Sequence, residues 1–210
     1  MRLINSDGSY AEVSGNGVRG LAALLVNRGE AVEDAGTPIR IDSDGGTKRL
    51  TLVERAGSRY RFRAAMGEPA NIHQVTLEVE EQPVSAVTLW MGNPQCVVLG
   101  PLPTEEQFRR LGPEIARHSQ FPAGTNVEFA EVASPDRVRI LIWERGAGPT
   151  QSSGTGSCAA AVAARMFGGA ASEIEVVAPG GSQMVRWKAD GVELEGWADV
   201  VLEGLWLSEP

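Results

Sequence analysis

Two copies of one short pattern are the residues best suited to chemistry. Ser14-Gly15-Asn16-Gly17 and Ser153-Gly154-Thr155-Gly156 each lead into a run of small and apolar residues. A glycine-rich turn at a helix start gathers unpaired backbone N–H groups and the positive end of the helix dipole, a combination that holds an anion such as a carboxylate. One copy is explained as well by an ordinary N-cap. Two copies at equivalent places point further, because two such helix tips facing one another enclose a single ligand.

Other polar residues collect where strands are expected to end. Asn5 precedes Asp7-Gly8-Ser9, Asn93 follows Met91-Gly92, Asn126 follows Phe121-Pro122-Ala123-Gly124-Thr125, and Glu144-Arg145 follows Ile140-Leu141-Ile142-Trp143. Each alone fits a turn or a solvated strand end. The two cysteines, Cys96 and Cys158, are far apart and outside any CxxC spacing, and are expected to be buried thiols. The two histidines, His73 and His118, belong to no cluster with metal-ligand spacing.

The elements that must carry these residues follow from the same repeat. Each pattern is expected to open a helix, the first running to about Arg28 and closed by Gly29, the second to about Phe167 and closed by Gly168 and Gly169. Both helices are rich in alanine and poor in charge, so each should be wrapped by sheet on most sides. Three alternating segments follow each. They are Ile39-Arg40-Ile41, Leu50-Thr51-Leu52-Val53 and Tyr60-Arg61-Phe62-Arg63 in the first half, and strands around Ile174, Val185 and Leu194 in the second. Further strands are expected around Val87 to Leu99, Val127 to Val132 and Val138 to Trp143, with a helix from Thr104 to about His118.

The fold class this predicts is α+β, with two pseudo-symmetric halves, each a mixed, strand-rich half-barrel around a central helix. The halves are placed at residues 1–82, joined by 203–210 as a returning strand, and at residues 83–202. About 70 positions separate Pro83 from Ser153, whereas 13 precede Ser14. If the halves are equivalent, several strands are expected to be missing ahead of Met1, leaving a sheet edge for another segment or chain to cover.

The 210 residues carry a net charge of −8, which offers no basic surplus for a polyanion, so a small-molecule ligand is expected rather than nucleic acid or a membrane surface. No run reaches about 18 apolar residues. The polar start argues against a secretory signal and for a cytoplasmic protein.

The segment from Arg2 to Arg19 resembles the first active-site segment of the diaminopimelate epimerase family, and Trp143 to Gly156 resembles the second. Met91-Gly92-Asn93-Pro94, the stretch Phe121 to Phe129, and Pro179-Gly180-Gly181 fit in order between and after them. The resemblance covers essentially the whole chain. It implies an isomerase acting without pyridoxal or metal at the α-carbon of an amino acid, converting LL- to meso-diaminopimelate in lysine biosynthesis, and pairing as a homodimer. One thiolate would remove the α-proton while an opposite thiol delivers one. Carried over by position, the catalytic pair is Ser14 and Ser153. The substrate contacts are Asn5, Gly15, Asn16, Asn93, Asn126, Glu144, Arg145, Gly154 and Thr155. This chain departs from the family in having serine at both cysteine positions and Gln95 where a histidine is usual. Two other readings stay open: a non-catalytic ligand-binding paralogue that keeps the anion cradles, or a truncated form, and an isomerase whose base is a carboxylate such as Glu12 or Glu144.

Overall fold

The computed structural model describes residues 1–4, 8, 10–11, 14–31, 34, 37–44 and 46–204. Two short strands, β1 (Leu3–Ile4) and β2 (Tyr10–Ala11), pair ahead of helix α1 (Gly15–Asn27). Three strands follow: β3 (Ile39–Ser43), β4 (Gly46–Ala56) and β5 (Arg59–Gly67). Next come β6 (Ala70–Val79), β7 (Gln82–Trp90), β8 (Pro94–Leu99), helix α2 (Glu105–Ala116), β9 (Asn126–Ser134), β10 (Arg137–Glu144) and β11 (Gly148–Thr150). Helix α3 (Gly154–Phe167) and strands β12 (Glu173–Ala178), β13 (Gly181–Lys188) and β14 (Gly191–Asp199) complete the order.

One sheet runs β3-β4-β5-β14-β13-β12-β10-β9-β8-β7-β6, with β11 paired to β10. The repeat read from the sequence is visible in it. Each glycine-led helix is followed by a three-stranded antiparallel meander, β3-β4-β5 after α1 and β12-β13-β14 after α3. The third strands of the two meanders, β5 and β14, pair antiparallel from Val192↔Gly67 to Asp199↔Arg59 and fuse the two units. The α+β class and the pseudo-symmetric arrangement are thus as expected.

The sheet curls around α3, and every residue from Gly154 to Ala164 is buried. Small side chains make this possible. Strands pack on a helix at about 10 Å, and Ala159, Ala160, Ala161, Ala163 and Ala164 let them approach from every side. The expectation for α1 needs correcting. Only Val18, Arg19, Ala22, Ala23 and Val26 are buried there, because β3, β4, β5 and β14 cover one face of it. A second apolar cluster, including Phe108, Ile115, Leu77 and Phe129, seats α2 against β6 and β9.

The stretch around Val87 to Leu99 is two strands that part where Asn93 was expected to mark a strand end, at Gly92, whose φ of +85° turns the chain back into a hairpin. Strand β6 was not expected from alternation alone; it pairs with β7 at the end of the sheet far from β3. Leu202–Gly204 form no strand, and the rest of the proposed returning segment lies outside the described residues. Among the described residues no helix is long and apolar enough to cross a membrane.

Candidate active site at two helix tips

The parallel pairing of β8 with β9, which aligns Gln95 with Asn126, places the starts of both strands at one end of the sheet. Strand β10 runs antiparallel to β9, so its last residue, Glu144, arrives at the same end. The chain then turns through β11 into α3. Asn93, Gln95, Asn126, Glu144 and the tip of α3 therefore converge although they span about 60 positions of the sequence.

Ser153 caps α3 from extended backbone, its Oγ accepting the N–H of Gly156 at 3.2 Å. Ser14 caps α1 in the same way, accepting the N–H of Gly17 at 3.0 Å. The two tips touch. A Cβ on Gly15 would stand 3.2 Å from Gly154 Cα, and one on Gly154 would stand 3.2 Å from Gly15 Cα, so only glycine fits this approach at both positions. Asn16 ties the tips together by donating from Nδ2 to Ser152 O at 3.0 Å. Helix geometry leaves the first-turn N–H groups of Gly15, Asn16, Gly154 and Thr155 without an intrahelical acceptor. Two dipole ends thus meet at one place, and the contact is too tight for a ligand between the glycines.

Glu144 supplies the neighbouring carboxyl. Half-buried, it has its pKa raised by loss of solvent, an effect partly offset by a hydrogen bond from Ser153. Ser153 is 6% exposed, so this hydroxyl–carboxylate pair sits in a poorly solvated site. Beside it a cavity of about 710 Å³ is lined by Glu144, Arg145, Arg117 and Trp143 among others, with both charge signs in its wall. Ser14, also half-buried, receives no comparable carboxyl among the described residues' recorded contacts.

Beneath the tip of α3 lies a buried polar chain. Asn93 Nδ2 donates to Thr155 Oγ1 at 3.4 Å, and Gln95 Nε2 donates to Asn93 Oδ1 at 2.5 Å. The other terminal atom of the Gln95 amide lies 3.0 and 3.2 Å from the two carboxyl oxygens of Glu128. An amide oxygen and a carboxylate cannot bond without a proton between them. Turning the Gln95 amide alone would satisfy Glu128 but set its oxygen against Asn93 Oδ1 at 2.5 Å; turning Asn93 with it, so that Thr155 donates, would satisfy an ionised Glu128 as well. Protonating Glu128 resolves the conflict without turning either amide. The side chain is fully buried, and burial, with Glu144 nearby, pushes its pKa well above the ordinary carboxylate range. The chain then reads Glu128 to Gln95 to Asn93 to Thr155, each donating to the next.

Of the residues expected at the site, Ser14, Gly15, Asn16, Ser153, Gly154 and Thr155 are brought together at the helix tips, with Glu144 beside Ser153. Asn93 belongs to the chain beneath them. Asn126, 7% exposed, is a strut: its Nδ2 donates to Pro94 O at 3.1 Å and its Oδ1 accepts from Arg145 N at 2.9 Å. Its amide is committed to fixing the ends of β8 and β10. Arg145 also donates from Nη1 to Ala123 O at 3.3 Å. Asn5 and Glu12 lie outside the described residues. The sequence reading missed Glu128 and Arg19, both buried. The available signal for Glu128 was an acid inside the otherwise apolar run Val127-Glu128-Phe129-Ala130. Cys96 and Cys158 are free and buried, and burial pushes the Cys158 thiol up to about 12, which makes it unreactive. No group of residues among those described has the makings of a metal site.

The fold is shared with solved structures of racemases and epimerases. A probable proline racemase from Agrobacterium radiobacter K84 aligns with a TM-score of 0.69 at 16% identity, over 93% of this chain and 69% of that one. A hydroxyproline epimerase from Agrobacterium vitis aligns with a TM-score of 0.70 at 16% identity, over 91% and 66%. Residues 87–201 match the family model for diaminopimelate epimerase. The diaminopimelate epimerase of Desulforudis audaxviator is 36% identical over 222 aligned positions, covering 99% of this chain and 78% of that protein. That of Alkalilimnicola ehrlichii is 37% identical over 212, covering 96% and 76%. The chain belongs to the diaminopimelate epimerase family.

Proposed function

We propose that this chain is an epimerase-type isomerase that binds the α-carboxylate of diaminopimelate against its paired helix tips and moves the α-proton through Ser153 and Ser14 from opposite faces, without a cofactor. The observation that carries the reading is the contact of two serine-capped helix tips at Gly15 and Gly154. Charge that develops on the carboxylate as the α-carbon loses its proton falls where the four open first-turn N–H groups of Gly15, Asn16, Gly154 and Thr155 and two dipoles point. A serine hydroxyl is a poor base alone. On one face Glu144, hydrogen-bonded to Ser153 and raised in pKa, relays the proton. Replacing a tuned acid or base costs about 10²–10⁴ in rate, so turnover far below that of a two-thiol site is expected. The site residues Asn93, Thr155 and Arg145 act in this reading as the walls and floor that hold the carboxylate and the distal amino-acid head. Membership of the diaminopimelate epimerase family supports, in this reading, a role in lysine biosynthesis, a cytoplasmic location and pairing as a homodimer.

A second reading, a ligand-binding paralogue, is favoured by one feature: among the described residues, a carboxyl partner is found for Ser153 and none for Ser14. Incubation with LL-diaminopimelate in heavy water separates the two. Deuterium at the α-carbon above a no-protein control, lost in Glu144→Gln and Ser153→Ala, supports turnover. Binding measurable by calorimetry with no exchange refutes turnover and leaves the binding module.

A further inference from the structure

Arg19 is 3% exposed, and neither its Nε nor its Nη1 has a hydrogen-bond partner among the described residues. Its one recorded bond runs from Nη2 to Asn16 Oδ1 at 2.5 Å. The guanidinium lies behind the glycine contact. A Cβ on Gly15 or on Gly154 would each stand 3.8 Å from Nη1, and a Cβ on Gly196 would stand 3.1 Å from Cζ. Glycine at position 196 therefore makes room for a cation in ordinary contact with the backbone of the two tips. Among the described residues no acid neutralises it there. Glu195, next to Gly196, points to the opposite face of β14, where Arg61, Arg63 and Arg186 already hold it at 3.4, 3.0 and 2.9 Å. A cavity of about 250 Å³ reaches Arg19 from its far side, and its described lining, including Asn16, Ser152, Gln183 and Trp197, contains no acid. Burial lowers the pKa of Arg19 to about 10, while nearby Cys158 raises it, so at neutral pH the guanidinium stays charged.

A buried cation without a counter-ion is costly, and it is kept where an anion completes it. We infer that Arg19 is a positioning residue: held behind Gly15 and Gly154 with no counter-charge, it adds a full positive charge to the two helix tips and stabilises whatever negative charge forms beside Ser14 and Ser153. The ligand class this implies is a carboxylate whose charge grows during reaction, so the inference rests on the reading proposed above and names the residue that biases the site toward it. Dipole ends contribute partial charges; Arg19 contributes a whole one, beside the glycines that follow the two capping serines.

A thiol at the cap is a direct meter of this field and needs no substrate. In Ser153→Cys, the thiol pKa is read from thiolate absorbance at 240 nm across pH 5–10. The native thiols stay silent in that window, since burial raises Cys158 to about 12 and Cys96 higher still. Adding Arg19→Gln or Arg19→Met should raise the cap thiol pKa by about one unit, as expected for a unit charge several ångströms away in a partly buried site. Adding Arg19→Lys, which keeps the charge, should leave it nearly unchanged. Glu144 is present throughout and cancels in the comparison. Either neutral variant suffices if the other fails to fold. An equal thiol pKa in a folded neutral variant and its Arg19 parent overturns the inference. In parallel, calorimetry with LL-diaminopimelate should show about tenfold weaker binding for the neutral variant than for Arg19→Lys in the Ser153 background, and equal affinities likewise overturn it. If the parent protein does not bind diaminopimelate, the functional reading fails while the thiol measurement still decides the role of Arg19.

Discussion

Replacing Glu128 by glutamine should stabilise the protein increasingly as pH rises. The native side chain is fully buried, and burial, with Glu144 second, holds its pKa well above the usual value. An unfolded glutamate releases its proton near about 4.3. Between that pH and the folded-state pKa, the unfolded chain is ionised while the folded one must keep its proton. Each further pH unit then favours unfolding by about 1.4 kcal/mol for this single group. The contribution is intact below the unfolded pKa and is lost as pH rises toward the folded pKa. Glu128→Gln keeps the shape and still donates to the Gln95 oxygen, so the buried chain to Asn93 and Thr155 survives while the titration disappears. The remaining groups, Glu144 included, are common to both proteins and cancel. With a urea m-value near about 3 kcal/mol per M for a chain of this size, the midpoint of the variant should move ahead of the native protein by about 0.5 M for each pH unit above 5. Urea titrations followed by circular dichroism at pH 5, 6 and 7 measure this directly. A difference in midpoint that does not change with pH would refute the protonated chain and require an ionised Glu128 with turned Gln95 and Asn93 amides.

Gly156→Ala should destabilise the fold, because its Cβ would stand 2.5 Å from Glu128 Oε1 and 3.2 Å from Ser153 Cβ. Overpacking of about 1–3 kcal/mol outweighs alanine's helix preference of about 1, lowering Tm by several degrees in calorimetry. Glu195→Gln removes the shared partner of Arg61, Arg63 and Arg186. Burial would raise the Glu195 pKa, but hydrogen bonds from Arg63 and Arg186 outweigh it and hold it below the usual range. The native protein should therefore exceed the variant by about 1–2 kcal/mol above pH 5, discounted because the arginines are partly solvated, and lose that advantage as pH falls through the lowered pKa. Denaturant titrations at pH 7 and pH 3 check the sign.

The sequence by itself determined the repeat and nearly everything local to it. Ser14 and Ser153 cap helices where the pattern placed them. Arg28 and Gly168 end those helices within a residue of expectation, and the meanders after each helix follow from period-two alternation. These features depend on neighbours a few positions away, so they are written in the chain. Strand β6 escaped because its exposed run Asn71 to Gln74 does not alternate cleanly. Pairings between distant segments were decided only in three dimensions. Asn126 became a strut because β8 and β10 flank β9, and Arg19 became a buried cation because Gly15, Gly154 and Gly196 meet around it. Burial of a charge and the spending of an amide's hydrogen bonds are properties of what surrounds a side chain. Those surroundings come from strands up to about 180 positions away, and no spacing along the chain encodes them.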